Sequence, residues 1–145
     1  MTEPTVATVA VALVEHLDAS TSLVWRPQGS YAAGDHALTI KAVPASPDVV
    51  CSVTVYDVDD DPDPRQVRRT FAVQLRFRAA SRPDAVDQVA DEVFAVLHAR
   101  HHTRLGGIRV ARCARVSVAP LGPDNNGRHE RTDNYRIVTR RGGTP

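Results

Sequence analysis

The chain has 145 residues, 42% of them hydrophobic and 24% charged: enough apolar material for one ordinary domain with a core, and too much for wholesale disorder. Eighteen Lys and Arg against seventeen Asp and Glu leave a formal charge of +1, so no global field recruits nucleic acid or an anionic membrane. No apolar run approaches the roughly 18–20 residues that a bilayer-spanning helix needs; the longest, Val6 to Val14, is interrupted by Thr8, stops at Glu15 and lacks the basic start of a signal peptide, so the reading is of a soluble chain without a targeting segment.

The first expected element is a helix over 5–19, where Val6, Val9, Ala10, Leu13, Val14 and Leu17 share one stripe and Pro4 suits the first turn. Short strands at 23–25 and 38–43 follow, expected at the edges of a sheet. A β-rich run at 49–56 sets Val49, Cys51, Val53 and Val55 on one side. A second at 71–78 alternates Phe71, Val73, Leu75 and Phe77 with Ala72, Gln74, Arg76 and Arg78, a pattern with one wet face. Between them 57–69 reads as a hairpin loop carrying Asp57, Asp59, Asp60, Asp61 and Asp63, then Arg65 and Arg68. At about a dozen residues it is longer than a hairpin needs, and such loops often engage partners.

A second helix is expected over 82–98, with Ser81 as its cap, Asp84 three positions on and Pro83 in the first turn. Its stripe is Val86, Val89, Ala90, Val93, Phe94 and Leu97, and Arg100, His101, His102 and Arg104 follow its negative end. Strands at 108–118 and 135–140 complete the chain, with a turn at Asp124-Asn-Asn-Gly127, where Asn-Gly readily takes positive φ. The expected fold class is α+β, a largely antiparallel mixed sheet with two amphipathic helices packed on one face. The whole reads as a single domain over 1–141, followed by a disordered tail at 142–145.

Cys51 and Cys113 are too few and too far apart for a disulfide framework or a structural zinc site, and read as buried reduced thiols in a reducing cytoplasm. The acidic run from Asp57 fails as a calcium loop, since its sixth and twelfth positions are Pro62 and Arg68. His98, His101 and His102 could set two imidazoles on one helical face, but no third ligand is evident. No phosphate loop, nucleophile elbow or Cys/His pair of recognisable spacing appears, so neither catalytic residue nor cofactor is expected.

Charge is unevenly spread. Residues 1–99 hold eight basic and fourteen acidic side chains, a balance of −6, whereas 100–145 hold ten and three, a balance of +7. Such halves either interleave and cancel in space or make the chain complementary to copies of itself. The Arg-rich last third has no aromatic pair to stack bases, which speaks against sequence-specific reading, while non-specific contact with a DNA backbone stays open. Arg109, Arg115 and Arg131 also suit edge-strand charges that prevent aggregation.

The segment Leu121-Gly-Pro-Asp-Asn-Asn-Gly-Arg-His-Glu-Arg-Thr-Asp-Asn-Tyr135 closely resembles the late motif of the small minor capsid or tail terminator proteins of long-tailed bacteriophages, L-G-x-D-x-x-G-R-x-E-x-x-x-N-Y. It matches at Leu121, Gly122, Asp124, Gly127, Arg128, Glu130, Asn134 and Tyr135. Pro44-x-x-Pro47-Asp48, Val73-Gln-Leu-Arg-Phe-Arg and Pro83-Asp84-Ala85 agree in style, and only the second helix's exit, Leu97-His-Ala-Arg100, departs from the pattern.

The resemblance implies a structural virion protein: a homo-oligomeric ring, usually of six copies, on the head-proximal end of the tail tube, which stops tube growth and docks to the neck. Its implied partners are the chain itself, the major tail tube protein and head-completion or neck proteins, with non-specific contact to DNA in the channel left open and no membrane. Its implied location is the tail–head junction of the virion, reached from the host cytoplasm. The alternatives are a neck or head-completion protein on the portal side, a small cytoplasmic enzyme and a DNA-binding module. Asp124, Gly127, Arg128, Glu130, Asn134 and Tyr135 are the motif candidates for assembly, with Arg128 and Glu130 expected to pair across the turn; the Asp/Arg run from Asp57 to Arg68 is the candidate partner loop.

Overall fold

The structure, a computed structural model, describes residues 2–140; the expected disordered tail at 142–145 lies outside them. Helix α1 (Val6–Ser20) starts where Thr5 and Thr8 satisfy one another: the Thr5 hydroxyl accepts the Thr8 N–H at 3.1 Å, and the Thr8 hydroxyl accepts the Thr5 N–H at 2.8 Å. Short strands β1 (Val24–Trp25) and β2 (His36–Ile40) precede the long pair β3 (Val49–Asp60) and β4 (Arg68–Ala79). Then come α2 (Ala85–Leu97), β5 (Arg100–Leu105), β6 (Ile108–Pro123) and β7 (His129–Arg140).

All seven strands form one sheet in the order β1-β2-β3-β4-β7-β6-β5. β1, β2 and β3 run parallel to one another, and the other neighbours are antiparallel. α1 packs on β1, β2, β3, β5 and β6, while α2 packs on β4, β6 and β7 and touches α1. Both helices therefore bury their stripes on the same face, and the α+β architecture with two helices on one side is the one observed.

Register explains the core. Phe71 faces Ile137, Val73 faces Tyr135, and Cys51, Val53 and Val55 face Phe77, Leu75 and Val73, all on the helix side and buried. The intervening residues Gln74, Arg76, Asn134 and Arg136 point to the open face. Cys51 and Cys113 are buried free thiols with β4 and β7 between their strands. Burial pushes the Cys113 thiol up to about 12 and the Cys51 thiol higher still, so neither is a ready nucleophile.

The structure departs from the sequence reading in five places. First, the β3–β4 ladder continues through Asp57↔Ala72, Val58↔Phe71, Asp59↔Thr70 and Asp60↔Arg69, leaving only 61–67 as loop. A bulge at Tyr56 resets the alternation, so Val58 turns inward and Asp57 and Asp59 turn to the open face. Second, the basic stretch after α2 is not a helix exit but strand β5, joined to β6 by the two-residue turn Gly106-Gly107. Gly106 has φ +54, and a Cβ there would lie 3.0 Å from the Ala12 Cα, so the turn conformation and the close approach of α1 both require glycine.

Third, α2 begins at Ala85 with Asp84 at the cap position and no side-chain cap bond; Ser81 sits at φ +83, too far upstream to cap. Fourth, β7 starts at His129 and β6 ends at Pro123, so the hairpin loop is 124–128. Fifth, β2 lies between β1 and β3 and is no edge strand. Its connection to β3 crosses the open face, where the buried Arg78 guanidinium donates to the carbonyls of Pro44, Pro47 and Asp48 at 2.7, 2.7 and 3.1 Å.

Candidate assembly surfaces

The family-like motif builds the β6–β7 hairpin and ties it down. The Asp124 carboxylate accepts the N–H groups of Asn126 and Arg128 at 2.9 and 2.8 Å and pairs with the Arg128 Nε at 2.8 Å, while Gly127 supplies φ +74. Burial would raise the Asp124 carboxyl, but those three donors outweigh it and hold the group below the usual carboxylate range. Arg128 reaches on to the Ala45 carbonyl at 2.6 Å and to Asp48 at 3.4 Å, locking the hairpin to the β2–β3 connection. The expected Arg128–Glu130 pair is absent. Glu130 instead meets Arg76 on β4 at 2.9 Å, because the two-residue alternation sends Glu130 to the open face beside β4 while Arg128 lies in the loop.

The last two motif residues sit in mid-strand. Asn134 donates to the Ser117 hydroxyl at 2.9 Å on the open face. Tyr135 is buried on the helix side, where its hydroxyl has no hydrogen-bond partner among the described residues; burial, then the nearby Asp133 carboxylate, push the phenol up. The motif therefore does not converge on one site, since its members divide between the loop, the open face and the core.

Sequence reasoning missed a fully buried carboxylate held by two arginines. Asp133 is 0% exposed and takes a fork from Arg131 at 2.7 and 3.0 Å plus the Arg115 Nη1 at 3.4 Å. Arg131 also reaches Asp87 on α2 at 2.8 Å. Although burial lowers it, its bonds to Asp133 and Asp87 raise the guanidinium above its ordinary value. The Arg115 guanidinium lies 4.0 Å above the Phe94 ring, which stacks on His98 at 4.4 Å. Arg115 and Arg131 are thus anchors of α2 and not edge guards. His98 accepts the Arg115 backbone N–H at 3.1 Å and lies past the helix end, so it shares no helical face with His101 and His102, which are in β5. The available signal was the i, i+2 pair of opposite charges in a strand, Arg131 and Asp133.

The acidic candidates do not behave as one loop. Asp57 and Asp59 are exposed on the open side of β3 and form no ion pair among the described residues. Asp60 is held by Arg69 at 2.6 Å. Asp61 and Asp63 stay in the loop: Asp61 accepts the Asp63 N–H at 2.9 Å, and Arg65 clamps Asp63 at 3.0 Å, which with its backbone N–H lowers the Asp63 carboxyl.

Arg68 stands directly opposite Arg140, Arg104 opposite Arg109 and His101 opposite Arg112, all exposed. The two arginine pairs set like charges in cross-strand positions, where they repel, and with Arg112 they make a basic stripe over four neighbouring strands that meets no carboxylate among the described residues. Arg140 also lines two adjoining grooves in the open face, of about 380 and 480 Å³, with Arg104 and Arg109 in one and Arg68 and Arg112 in the other. Among the described residues no group of three or more His, Cys, Asp or Glu is placed to hold a metal ion.

Comparison with known proteins gives this geometry a context. A family model described as "Bacteriophage tail terminator protein" matches residues 16–141, which takes in all seven strands and the hairpin motif. No curated protein sequence matches the chain. A chain from a solved structure titled "Virion of native gene transfer agent (GTA) particle" superposes with a TM-score of 0.67 over 93% of this chain and 97% of that chain at 15% identity, a likeness of fold. The resemblance carried by Leu121 through Tyr135 thus extends over most of the sequence, and the chain belongs to the bacteriophage tail terminator family, as a structural protein of the phage tail.

Proposed function

We propose that the protein caps the head-proximal end of the tail tube as a ring of copies, six by family resemblance. The cap stops tube growth and forms the tail side of the head–tail joint. Its partners are then the major tail tube protein on one face and head-completion or neck proteins on the other, with 1–141 acting as one terminator unit. The observation that carries this reading is the family match over 16–141. The internal bonding of the motif fits it: Asp124, Gly127 and Arg128 spend their hydrogen bonds shaping the hairpin, which is scaffold work. The molecule acts by shape, and we assign no bond-making or bond-breaking step to any side chain.

Electron microscopy of particles assembled without this protein tests the role. Overlong, unterminated tails on filled heads are the expected result. Empty or leaking heads beside tails of normal length would move the protein to the portal side as a neck component.

A further inference from the structure

The open face of the sheet gathers arginines into one corner. Arg68 on β4 pairs with Arg140 on β7, and Arg109 on β6 pairs with Arg104 on β5. Thr139 faces Val110 across β7 and β6, so the next step of that antiparallel ladder sets Arg140 beside Arg109. The four form one row over four adjacent strands, roughly 14 Å long at a strand spacing of about 4.8 Å. Two residues further along, Arg112 is level with Val138, and two beyond that Arg136 is level with Ala72 and Ala114. The strand neighbours Ile108, Val110, Ile137 and Thr139 are buried, so alternation turns the arginines outward. All six are exposed, and none meets a carboxylate among the described residues.

Charge of one sign at this density is answered from outside the sheet. Asp59 is the carboxylate in the row of Arg112, but Thr70 and Val138 stand between them. Three strand spacings, roughly 14 Å, exceed the screening length of about 8 Å at physiological salt. A bound polyanion would relieve the repulsion among the arginines.

The surroundings select the kind of anion. The centres of protein interfaces are rich in aromatic residues and poor in charge. Here the side chains between the arginines are Thr70, Ala72, Ala114 and Val138, and only Val138 is large and apolar. Protein–DNA interfaces are polar and strongly positive, as this corner is. The two grooves that share Arg140, about 380 and 480 Å³, give backbone phosphates room beside the guanidinium groups. No Phe, Tyr or Trp lines either groove to stack an unpaired base, which favours a duplex over a single strand.

We propose that this arginine corner binds the phosphate backbone of double-stranded DNA without reading its sequence. Each arginine that replaces condensed cations adds close to one power of salt dependence. Capping a tube needs no nucleic acid, so loss of this contact would leave the ring reading untouched.

Fluorescence anisotropy of the full chain with two short duplexes of unrelated sequence tests it. Equal binding to both is expected, falling steeply between about 50 and 200 mM salt. Arg104→Gln with Arg109→Gln, and separately Arg68→Gln with Arg140→Gln, should each weaken binding at least about tenfold at the low-salt end and lower the slope by about two. Arg26→Gln with Arg82→Gln removes the same charge from exposed arginines elsewhere and should leave the slope unchanged. Circular dichroism checks folding. Should a pair fail to fold, the single Arg140→Gln, at the wall shared by both grooves, is expected to lower the slope by about one. No binding at about 50 mM salt, or an equal loss in the Arg26 and Arg82 control, overturns the proposal. A preference for one of the two sequences overturns it as well. Polyglutamate that binds as tightly as DNA overturns it in favour of an acidic protein partner.

Discussion

At the scale of single residues, β7 sets a side chain that holds the fold beside one that only fills space. The Tyr135 hydroxyl is buried without a partner among the described residues, so its removal takes no hydrogen bond away. Tyr135→Phe is expected to change unfolding stability by less than about 1 kcal/mol in urea denaturation. Asp133 is the opposite case. Asp133→Ala leaves the Arg131 and Arg115 guanidinium groups without their shared buried anion and should cost about 3–5 kcal/mol by the same measurement.

Asp124 gives a pH prediction. Its folded carboxyl lies below the ordinary value, so the stability it contributes is fully present above the ordinary carboxylate range and is lost as pH falls through the depressed value. Wild type should therefore lose more stability than Asp124→Asn between pH 7 and pH 3 in paired denaturation curves.

At the scale of elements, α2 is fixed to the sheet from both ends. Asp87 in its first turn meets Arg131, and Phe94 near its last turn lies between Arg115 and His98. Phe94→Leu keeps most of the apolar contact and loses the ring face, so the expected loss is about 0.5–1 kcal/mol. The β5–β6 turn meets α1 at one point. Gly106→Ala is strained by φ +54 and by the approach to the Ala12 backbone, its Cα at 3.0 Å and its carbonyl oxygen at 3.2 Å; Ala12→Gly removes only the Cβ contact at 3.2 Å, so added to Gly106→Ala it should leave most of the loss in place. A double-mutant cycle on thermal unfolding reads the small coupling that belongs to the Ala12 Cβ.

At the scale of the whole molecule, the division of charge along the chain survives folding as a division across the sheet. The acidic side chains at Asp57 and Asp59 lie near one edge, while the arginines at 68, 104, 109, 112 and 140 spread over β4, β7, β6 and β5. A ring that presents this open face to DNA would meet phosphates with unpaired guanidinium groups. Retention on double-stranded DNA should then fall steeply with salt, and Arg112→Gln with Arg140→Gln should flatten that slope by about one for each phosphate contact removed. No measurable retention at low salt would remove DNA from the list of partners.

Both helices, the core strand at 71–78 and the tail terminator motif were legible in the sequence because each is local: one apolar stripe, one alternation or one turn carries the signal. The strand β5, the early start of β7 and the continuation of β3 past Tyr56 were not, because their residues are charged and only pairing with a neighbour makes them strands. The candidate sites divide in the same way. Asp124 and Gly127 could be placed in their turn from the sequence, whereas the partner of Arg128 lies 83 residues away and that of Arg131 on α2 lies 44 away. The sequence by itself determined the fold class and the family. Only the tertiary structure decided which charges are buried in pairs and which stand unpaired on the two edges, since that depends on which distant strand comes alongside, and no spacing along the chain records it.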